Sequence, residues 1–307
     1  MGAHRLGRVL LVANPEARNG AAREAAFAAA ADLRLRSDCV DEVELALTDA
    51  PGHATALARR ALGWDTLAAL GGDGVVNEVV NGLMELAPAE RPVLGHIPYG
   101  SGNDYARTLG MPVVLDRALD ALACGCARTV DAGLCEGTYF AETLSFGLDA
   151  AIALGTVERR RETGRTGTLL YAESGIEQLT RHRDARRVRL SLDGGASREL
   201  SVYLLAVQNG CTYGGGFRIC PEARIDDGLL DVCWVDAPLS LSQAAFTFLL
   251  AKSGRHTHRP HVHFARARRI DLSFEQEPPV QIDGERLRGT DFSVVAVPAV
   301  LKAIFAR

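Results

Sequence analysis

The first 125 residues alternate between short apolar runs and longer stretches with helical periodicity. Buried strands are predicted where apolar residues are continuous or alternate with polar ones, at residues 6–13, 43–47, 66–70 and 93–97. Helices are predicted where apolar residues recur every three or four positions, at residues 21–35, 54–62, 75–83 and 115–123. Strands that alternate with helices are typical of a parallel sheet with crossover helices, which binds ligands at the carboxyl ends of its strands.

The pattern changes after about residue 128, where short stretches of alternating apolar and polar residues dominate. Such stretches predict antiparallel strands, and turn residues such as Asp193-Gly194-Gly195 separate them. The predicted strands are residues 138–145, 187–192, 199–207, 229–235, 262–274 and 292–297. The predicted helices are residues 168–180, 241–252 and 298–307.

These two patterns divide the chain into two predicted domains, as its length of 307 residues allows. The first is an α/β, Rossmann-like domain of residues 1–128, to which the predicted C-terminal helix at 298–307 is added. The second is a β-rich domain of residues 129–297.

Composition narrows the class of protein. The chain is 47% hydrophobic and 23% charged, and no uncharged apolar run reaches the ~18 residues that a membrane-spanning helix needs. The N-terminus lacks a signal-peptide pattern, and the seven cysteines, an odd number, are scattered through apolar stretches. We therefore expect a reduced, cytoplasmic protein. The net charge of −4 indicates no general attraction to nucleic acid.

The scarcity of lysine excludes one way of binding a nucleotide. Lys252 and Lys302 are the only lysines, and neither lies in a glycine-rich turn. A Walker A loop requires G-x-x-x-x-G-K-[ST], because its lysine contacts the phosphates. A nucleotide bound by this chain would therefore be held by backbone amides, hydroxyl groups or arginine.

Glycine-containing loops follow three predicted strands of the first domain, at residues 14–20, 71–74 and 99–104. Because parallel strands end at the same edge of a sheet, the three loops should lie together. Glycine lets a backbone approach phosphates closely, and the amides at a helix N-terminus favour anions. Asp73 suits magnesium better than phosphate. Ordinary strand-to-helix turns have a similar composition, but three such loops in series favour a phosphate site.

Two acidic turns lie in the second domain. Residues 221–231 place four carboxylates around a glycine, which is typical either of a hard-cation site or of a solvated turn. Residues 281–285 end an apolar run with Asp283-Gly284-Glu285, where a carboxylate could accept the proton of an attacking hydroxyl. Asp-Gly is also a common hairpin turn, so the spacing leaves both interpretations open.

Five motifs follow one another in an order that is more specific than any one of them. They are Asn14-Pro15, Gly71-Gly72-Asp73-Gly74 with Asn77-Glu78, Gly100-Ser101-Gly102-Asn103-Asp104, Asp227-Gly228-Leu229-Leu230-Asp231 and Asp283-Gly284-Glu285. In this order the chain resembles the soluble diacylglycerol kinase and sphingosine kinase family of lipid kinases, from about residue 8 to residue 297. The resemblance implies an N-terminal nucleotide-binding domain, a C-terminal antiparallel β-sandwich and a cleft between them.

The resemblance also implies roles for individual residues. Magnesium would bind Asp227 and the carbonyl oxygens of Arg224 and Leu229. Asp283 is the expected general base, with Glu285 as its partner or substitute. The residues expected to contact ATP are Asn14, Thr48, Gly71, Gly72, Asp73, Gly74, Val75, Val76, Asn77 and Ser101.

Two of these positions differ from the family's usual residues. Ser101 replaces a threonine and keeps its hydroxyl, whereas Val75 replaces the threonine that usually follows GGDG. One lost hydrogen bond is worth about 0.5–1.5 kcal/mol, so we expect Val75 to weaken nucleotide binding without abolishing it.

The resemblance implies an ATP- and Mg²⁺-dependent lipid kinase that transfers the γ-phosphate to a hydroxyl of its substrate. The resemblance does not identify the acceptor, which could be diacylglycerol, a sphingoid base or phosphatidylglycerol. It also leaves the oligomeric state open, with a homodimer as one of the candidates. The alternatives are an NAD-kinase-like enzyme, since GGDG is shared with that group, and a catalytically weak relative that binds lipid or nucleotide.

Two further features bear on partners. Arginine runs at residues 159–161 and 181–187 are typical either of a solvated helix face or of a surface that attracts anionic lipid head groups, which would suit transient contact with the inner face of a membrane. The histidines at positions 256, 258, 261 and 263 are interrupted by Pro260, so we expect an exposed connection rather than a metal site.

Overall fold

The computed structural model describes residues 4–164, 170, 173–175, 177 and 184–307. The chain forms two compact units, which consist of Met1–Val130 with Ala299–Arg307 and of Asp131–Pro298. Both boundaries fall inside strands, β5 (Cys126–Cys135) and β15 (Asp291–Phe305), so each unit contains part of each strand.

The first unit contains a parallel sheet. Its strands are β1 (Gly7–Ala13), β2 (Val40–Leu47), β3 (Thr66–Gly71) and β4 (Val93–Pro98). Strand β1 pairs with β2 and β3, and β3 pairs with β4, all in parallel. Continuous apolar runs produce β1, β3 and β4 because helices cover both faces of such a sheet.

Five helices belong to this unit, and their bounds are α1 (Ala22–Leu35), α2 (His53–Ala58), α3 (Asp73–Met84), α4 (Asp104–Thr108) and α5 (Leu115–Cys124), with a 3₁₀ turn at Pro88–Glu90. Helix α1 buries a stripe of five alanines and Leu33, which lets its backbone approach the sheet closely. Helix α3 buries Val76, Val79, Val80 and Leu83 on one face, as the sequence pattern predicts.

The prediction of a C-terminal helix at residues 298–307 is wrong. Strand β15 continues to Phe305, and Ala303 pairs in parallel with Leu94 of β4. Leu301 and Ala303 are buried whereas Lys302 between them is exposed, as in a strand, and Ile304 and Phe305 beyond them are buried as well. The open edge of β4 provides backbone partners that this short apolar segment uses in place of its own helical hydrogen bonds.

The second unit is an antiparallel β-sandwich that includes parts of β5 and β15. Its other strands are β6 (Thr138–Phe140), β7 (Thr143–Gly147), β8 (Arg186–Leu192), β9 (Arg198–Gln208), β10 (Leu230–Asp236), β11 (Val262–Ala267), β12 (Arg269–Phe274), β13 (Val280–Ile282) and β14 (Glu285–Leu287). The strand order is β14-β13-β7-β9-β8-β12-β15, and β10 pairs with both β9 and β11. Phe146 packs against Phe274 and Phe292 in its core, with ring centroids 5.3 and 5.1 Å away.

Two helices of this unit flank strands β9 and β10. Helix α6 (Leu148–Thr163) was not predicted, because its small and β-branched residues do not mark a clear apolar stripe. Helix α7 (Leu241–Ala251) agrees with the prediction and begins at Ser240, whose side chain forms a capping box with Gln243. A 3₁₀ turn follows at Arg255–His258.

The predicted helix at 168–180 lies mostly outside the described residues, as do the arginines of 181–183. Among the described helices, none combines the length and apolar character that a membrane crossing requires.

Candidate functional site

The loops of the first unit lie at the carboxyl edge of its sheet, as their position after parallel strands predicts. The backbone N–H of Asn14 donates to the Leu70 carbonyl (3.3 Å), and that of Thr48 donates to the Ala13 carbonyl (2.9 Å). The Tyr99 N–H donates to the Gly71 carbonyl (2.7 Å). Backbone hydrogen bonds therefore join the ends of four strands and bring the candidate nucleotide-binding residues to one edge.

Two glycines at this edge come into direct backbone contact. A Cβ atom at Gly100 would lie 2.3 Å from the Cα atom of Gly72, a distance that no side chain could occupy. Asn103, with φ of +55°, closes the second loop, because its side-chain oxygen accepts from the Gly100 N–H (2.8 Å) and its side-chain nitrogen donates to the Gly100 carbonyl (3.0 Å). The two loops thus present bare backbone, which is what a phosphate-binding surface requires.

Asp73 links the same two loops. It occupies the first turn of α3, and its Oδ1 accepts a hydrogen bond from the backbone N–H of Tyr105 at the start of α4 (3.0 Å). A Cβ atom at Gly102 would lie 2.6 Å from Asp73 Oδ2, so the second loop passes directly over this carboxylate. Asp73 therefore has a positioning role that the sequence did not indicate, beside its predicted contact with the nucleotide or its metal.

The residues after GGDG contribute mainly backbone to this edge. Val75 and Val76 are 8% and 1% exposed, and Asn77 is 7% exposed. Val75 packs on Gly71, where a Cβ would lie 2.9 Å from its Cγ2 atom. With these side chains turned into the core, the N-terminus of α3 offers amides and its dipole rather than side-chain donors.

Arg18 is a candidate that sequence reasoning passed over. It is exposed, its Nε donates to the Gly100 carbonyl (3.4 Å), and its guanidinium lies 4.6 Å from the centre of the Tyr99 ring. The chain lacks a Walker lysine, so an arginine at this edge is the cationic side chain suited to phosphate. The position of Arg18 within the first glycine-containing loop was the signal that could have identified it.

His96 lies beneath these loops, on β4. Its side chain is fully buried, and Nε2 lies 3.3 Å from the Gly71 carbonyl oxygen. Burial lowers the pKa of His96 to about 4, although the bond to Gly71 favours the protonated form. The imidazole is therefore neutral at physiological pH and supports the loop of residues 71–74 from below.

In the second unit, the Asp283-Gly284 turn is a two-residue hairpin between β13 and β14. Both residues have positive φ, +45° and +95°, which is the geometry of a type I′ turn. The Asp283 carboxylate accepts three backbone N–H bonds, from Ala141 (2.6 Å), Glu142 (3.2 Å) and Thr143 (2.8 Å). This carboxylate is therefore anchored to the chain that leads into β7.

A buried polar layer supports the hairpin. The Gly284 N–H donates to Gln281 Oε1 (2.7 Å), and Gln281 Nε2 donates to the Ser145 hydroxyl (2.8 Å). Asn209 Nδ2 donates to the carbonyl oxygens of Asp131 (3.1 Å) and Ala141 (2.8 Å). Glu285, by contrast, is exposed at the first position of β14.

The predicted metal residues form a tight turn. Asp227 Oδ1 accepts from the Leu229 N–H (3.1 Å), and Asp131 Oδ2 accepts from the Gly228 N–H (2.7 Å). The Arg224 guanidinium is exposed and pairs with Asp226, which leaves its carbonyl as the only candidate ligand at that residue. One carboxylate with two carbonyl oxygens fits a hard cation in donor chemistry.

The clustered histidines and the acidic side chains that the structure describes do not form a metal site made of side chains alone. Within the described parts of the chain, no group of three or more His, Cys, Asp or Glu side chains could hold a metal ion. The expected exposed connection is wrong in part, because His256 and His261 are buried, and three of the four clustered histidines contact separate partners. His256 contacts the Ile219 carbonyl (3.0 Å), His261 the Thr247 hydroxyl (2.7 Å) and His263 the Asp236 carboxylate (2.6 Å).

The second unit also contains a narrow apolar cavity of about 60 Å³. Helices α6 and α7 and strands β9 and β10 form its walls, and the lining side chains include Ile152, Phe217, Val235 and Phe248. Buried polar side chains interrupt this apolar lining, among them Tyr213 and Asp149, whose hydroxyl and carboxylate hydrogen-bond to each other. The cavity is thus chemically suited to a lipid that carries a polar group.

The chain matches known proteins along nearly all of its length. Residues 8–135 match the diacylglycerol kinase catalytic domain family, and residues 142–305 match the YegS C-terminal NAD kinase beta sandwich-like domain family. A diacylglycerol kinase of Staphylococcus saprophyticus is 32% identical over 241 residues, which cover 78% of this chain and 76% of that protein. One of Staphylococcus epidermidis is 33% identical over 241 residues, or 78% and 74% of the two chains.

Solved structures share the fold. A diacylglycerol kinase crystal structure from Bacillus anthracis superposes with a TM-score of 0.75 at 23% identity and covers 97% of this chain and 96% of its own. An Archaeoglobus fulgidus NAD kinase in complex with ATP superposes with a TM-score of 0.50 at 14% identity, over 98% and 93% of the two chains.

Proposed function

The chain belongs to the diacylglycerol kinase family, and from this premise we propose that it transfers the γ-phosphate of ATP to a hydroxyl group of a lipid, with Mg²⁺ as its metal. The backbone contact between Gly72 and Gly100 is the main support for the proposed binding of ATP. Glycine is required there by geometry, and the result is a side-chain-free edge at the N-terminus of α3.

The first unit supplies the groups that bind and orient the nucleotide. Amides at the start of α3 and the exposed Arg18 guanidinium would bind phosphate oxygens, and Asn14, Thr48 and Ser101 lie on loops at the same edge of the sheet. Asp73 would hold magnesium through its carboxylate, whose Oδ1 also accepts from the Tyr105 N–H. When bound, magnesium neutralises charge that develops on the phosphates.

A second magnesium position is proposed at the turn in the second unit. Asp227, with the carbonyl oxygens of Arg224 and Leu229, would bind it in a structural role. Asp131 already supports that turn through the Gly228 N–H, so the site needs little rearrangement to form.

The acceptor is proposed to be a lipid because of the cavity beside α6 and α7. An acyl chain gains free energy by leaving water for apolar walls, and Asp149 with Tyr213 offers hydrogen bonds to a polar head. The cavity is narrow, so a long chain would require one of the two helices to move. Diacylglycerol is the first acceptor to test, followed by sphingoid bases and phosphatidylglycerol.

We assign the role of general base to Glu285 and a positioning role to Asp283. The Asp283 carboxylate already accepts three backbone hydrogen bonds and fixes the hairpin. Glu285 follows that rigid turn and is exposed, so its carboxylate can reach a substrate hydroxyl. A base must lie within hydrogen-bond reach of the proton it removes, and the fixed hairpin restricts where Glu285 can be.

Incubation with γ-labelled ATP, Mg²⁺ and a panel of acceptors tests the proposal. The panel contains diacylglycerol, a sphingoid base, phosphatidylglycerol and NAD, since NAD kinases share the fold. We expect label in the organic extract with a lipid acceptor and not in NAD. Label in NAD alone would replace the proposal with the NAD-kinase alternative, and no label in any acceptor would support a binding protein.

A further inference from the structure

Helix α7 exposes large apolar side chains on the face opposite the cavity. Phe246 and Leu249 lie one turn apart and are 50% and 67% exposed, and Leu241 at the start of the helix is 42% exposed. Such side chains are usually buried, and a contiguous apolar face marks an interaction surface. We call Phe246 and Leu249 the outer face of α7, because Leu241 lies about 140° around the helix from Phe246 and does not share that face.

The chain segment that contains this face is rich in basic residues, although Arg266 and Arg269 near its end pair with Asp231 and Asp271. Residues 237–270 contain six Lys or Arg and no Asp or Glu, in a protein of net charge −4. The Arg259 guanidinium lies 5.3 Å from the centre of the Phe246 ring, and Arg255 is exposed just beyond the helix. Among the residues that the structure describes, neither arginine forms a salt bridge with a carboxylate.

The inner face of the same helix lines the narrow apolar cavity described above. Ala244, Thr247, Phe248 and Ala251 contribute to the cavity wall, so one helix separates the cavity from the exposed apolar face. The apolar outer face is therefore next to the place where the proposed substrate would bind.

We propose that α7 docks on the surface of an anionic lipid membrane. Phe246 and Leu249 enter the boundary between head groups and acyl chains, and Arg255 and Arg259 contact lipid phosphates. The charge composition selects this partner, because a basic border around apolar side chains is complementary to an anionic bilayer and not to a second basic copy of the same face. The inference deepens the proposed function by placing the lipid source beside α7, but membrane binding needs no phosphoryl transfer.

Within the described ranges of the chain, exposed apolar residues on helix α1 lack a neighbouring cluster of unpaired arginines, so they provide a matched control. Phe27 and Leu35 on α1 are 55% and 83% exposed. Acidic and basic residues alternate in the chain around them, including Glu24 and Asp32 beside Arg23 and Arg34. A mixed-charge border of this kind has no preference for an anionic surface.

Vesicle flotation without ATP tests the proposal on the full chain. Wild type should bind vesicles of phosphatidylcholine and phosphatidylglycerol, bind phosphatidylcholine alone far more weakly, and dissociate as salt is raised. Phe246→Ser with Leu249→Ser should lower the partition coefficient by about tenfold or more. Arg255→Glu with Arg259→Glu should also lower it by at least about tenfold, since each basic residue contributes about fivefold.

Phe27→Ser with Leu35→Ser should leave the partition coefficient unchanged, and circular dichroism should show that every variant folds. Salt-independent binding of wild type, or equal binding by the α7 variants and wild type, would overturn the proposal. If the α7 variants only convert a dimer to a monomer, the outer face is a self-association surface instead. Vesicle binding without turnover on any acceptor would retain this inference while rejecting the kinase proposal.

Discussion

The Asp283 carboxylate accepts a 2.6 Å hydrogen bond from the backbone N–H of Ala141, a residue 142 positions earlier in the chain. Two more N–H groups, from Glu142 and Thr143, complete its set of donors. Asp283 therefore joins the β13–β14 hairpin to the entrance of β7, and this fixed hairpin presents Glu285.

The first prediction separates the two carboxylates. Glu285→Gln should leave thermal stability nearly unchanged, because the side chain is exposed, and lower kcat by about 10²–10⁴-fold. Asp283→Asn should lower the free energy of unfolding by about 1–3 kcal/mol, because an amide cannot accept from all three N–H groups. Chemical denaturation and steady-state kinetics measure both effects. If Asp283→Asn is stable but inactive while Glu285→Gln remains active, Asp283 is the general base.

The second prediction concerns the contact between the two glycine loops. Gly100→Ala would force a Cβ to within 2.3 Å of Gly72 Cα and should cost about 1–3 kcal/mol of stability together with most nucleotide affinity. Gly74→Ala is the matched control for stability, because a Cβ at Gly74 meets no atom within 4 Å. Urea unfolding and ATP titration measure the pair. Equal stability of the two variants would show that the loops separate in solution.

The third prediction follows from buried His96. Its pKa is about 4 in the folded protein against an ordinary 6.5, so the unfolded chain binds the proton more readily between these values. The contribution of His96 to stability is therefore complete above pH 6.5 and is lost as pH falls toward 4.

Lowering the pH from 7.5 to 4.5 should therefore reduce the free energy of unfolding of both proteins. The reduction should be roughly 2–3 kcal/mol larger in wild type than in His96→Asn. Urea denaturation at each pH gives both differences. An identical pH dependence in the two proteins would mean that His96 becomes protonated without cost.

The fourth prediction tests the cavity as the acyl-chain site. Ala244→Phe would fill space at the cavity wall and should raise KM for a long-chain diacylglycerol by about tenfold while affecting a short-chain analogue less. Ala245→Phe is the control on the same helix, since Ala245 does not line the cavity. Assays in detergent micelles remove any effect of membrane docking. Equal KM values for the two variants would place the acyl chain elsewhere.

The fifth prediction concerns magnesium. If Asp227 holds a structural ion, added Mg²⁺ should raise the Tm of wild type, because a ligand that binds only the folded state stabilises it. Asp227→Asn should reduce that rise, and EDTA should bring the two proteins close together. Asp226→Asn is the control from the same turn. If added Mg²⁺ does not change the Tm of wild type, this position is not a structural metal site.

The sequence alone determined the parts of the protein that depend on local order. Continuous apolar runs identify β1, β3 and β4 because a doubly covered parallel sheet buries every side chain of such strands. Since parallel strands end at one edge, the sequence also located the loops that carry Asn14, Asp73 and Ser101. The five ordered motifs were sufficient to indicate the family.

Tertiary structure decided the features that depend on distant partners. Residues 298–305 form a strand because β4 offers an open edge, which no local pattern can reveal. Asp283 is an anchor because residues 141–143 bring three N–H groups to it across the fold. The apolar residues of α7 divide into a cavity wall and an exposed face only when neighbouring elements cover one side. Hydrophobic periodicity reports that a side chain prefers burial, but only packing decides which neighbours provide it.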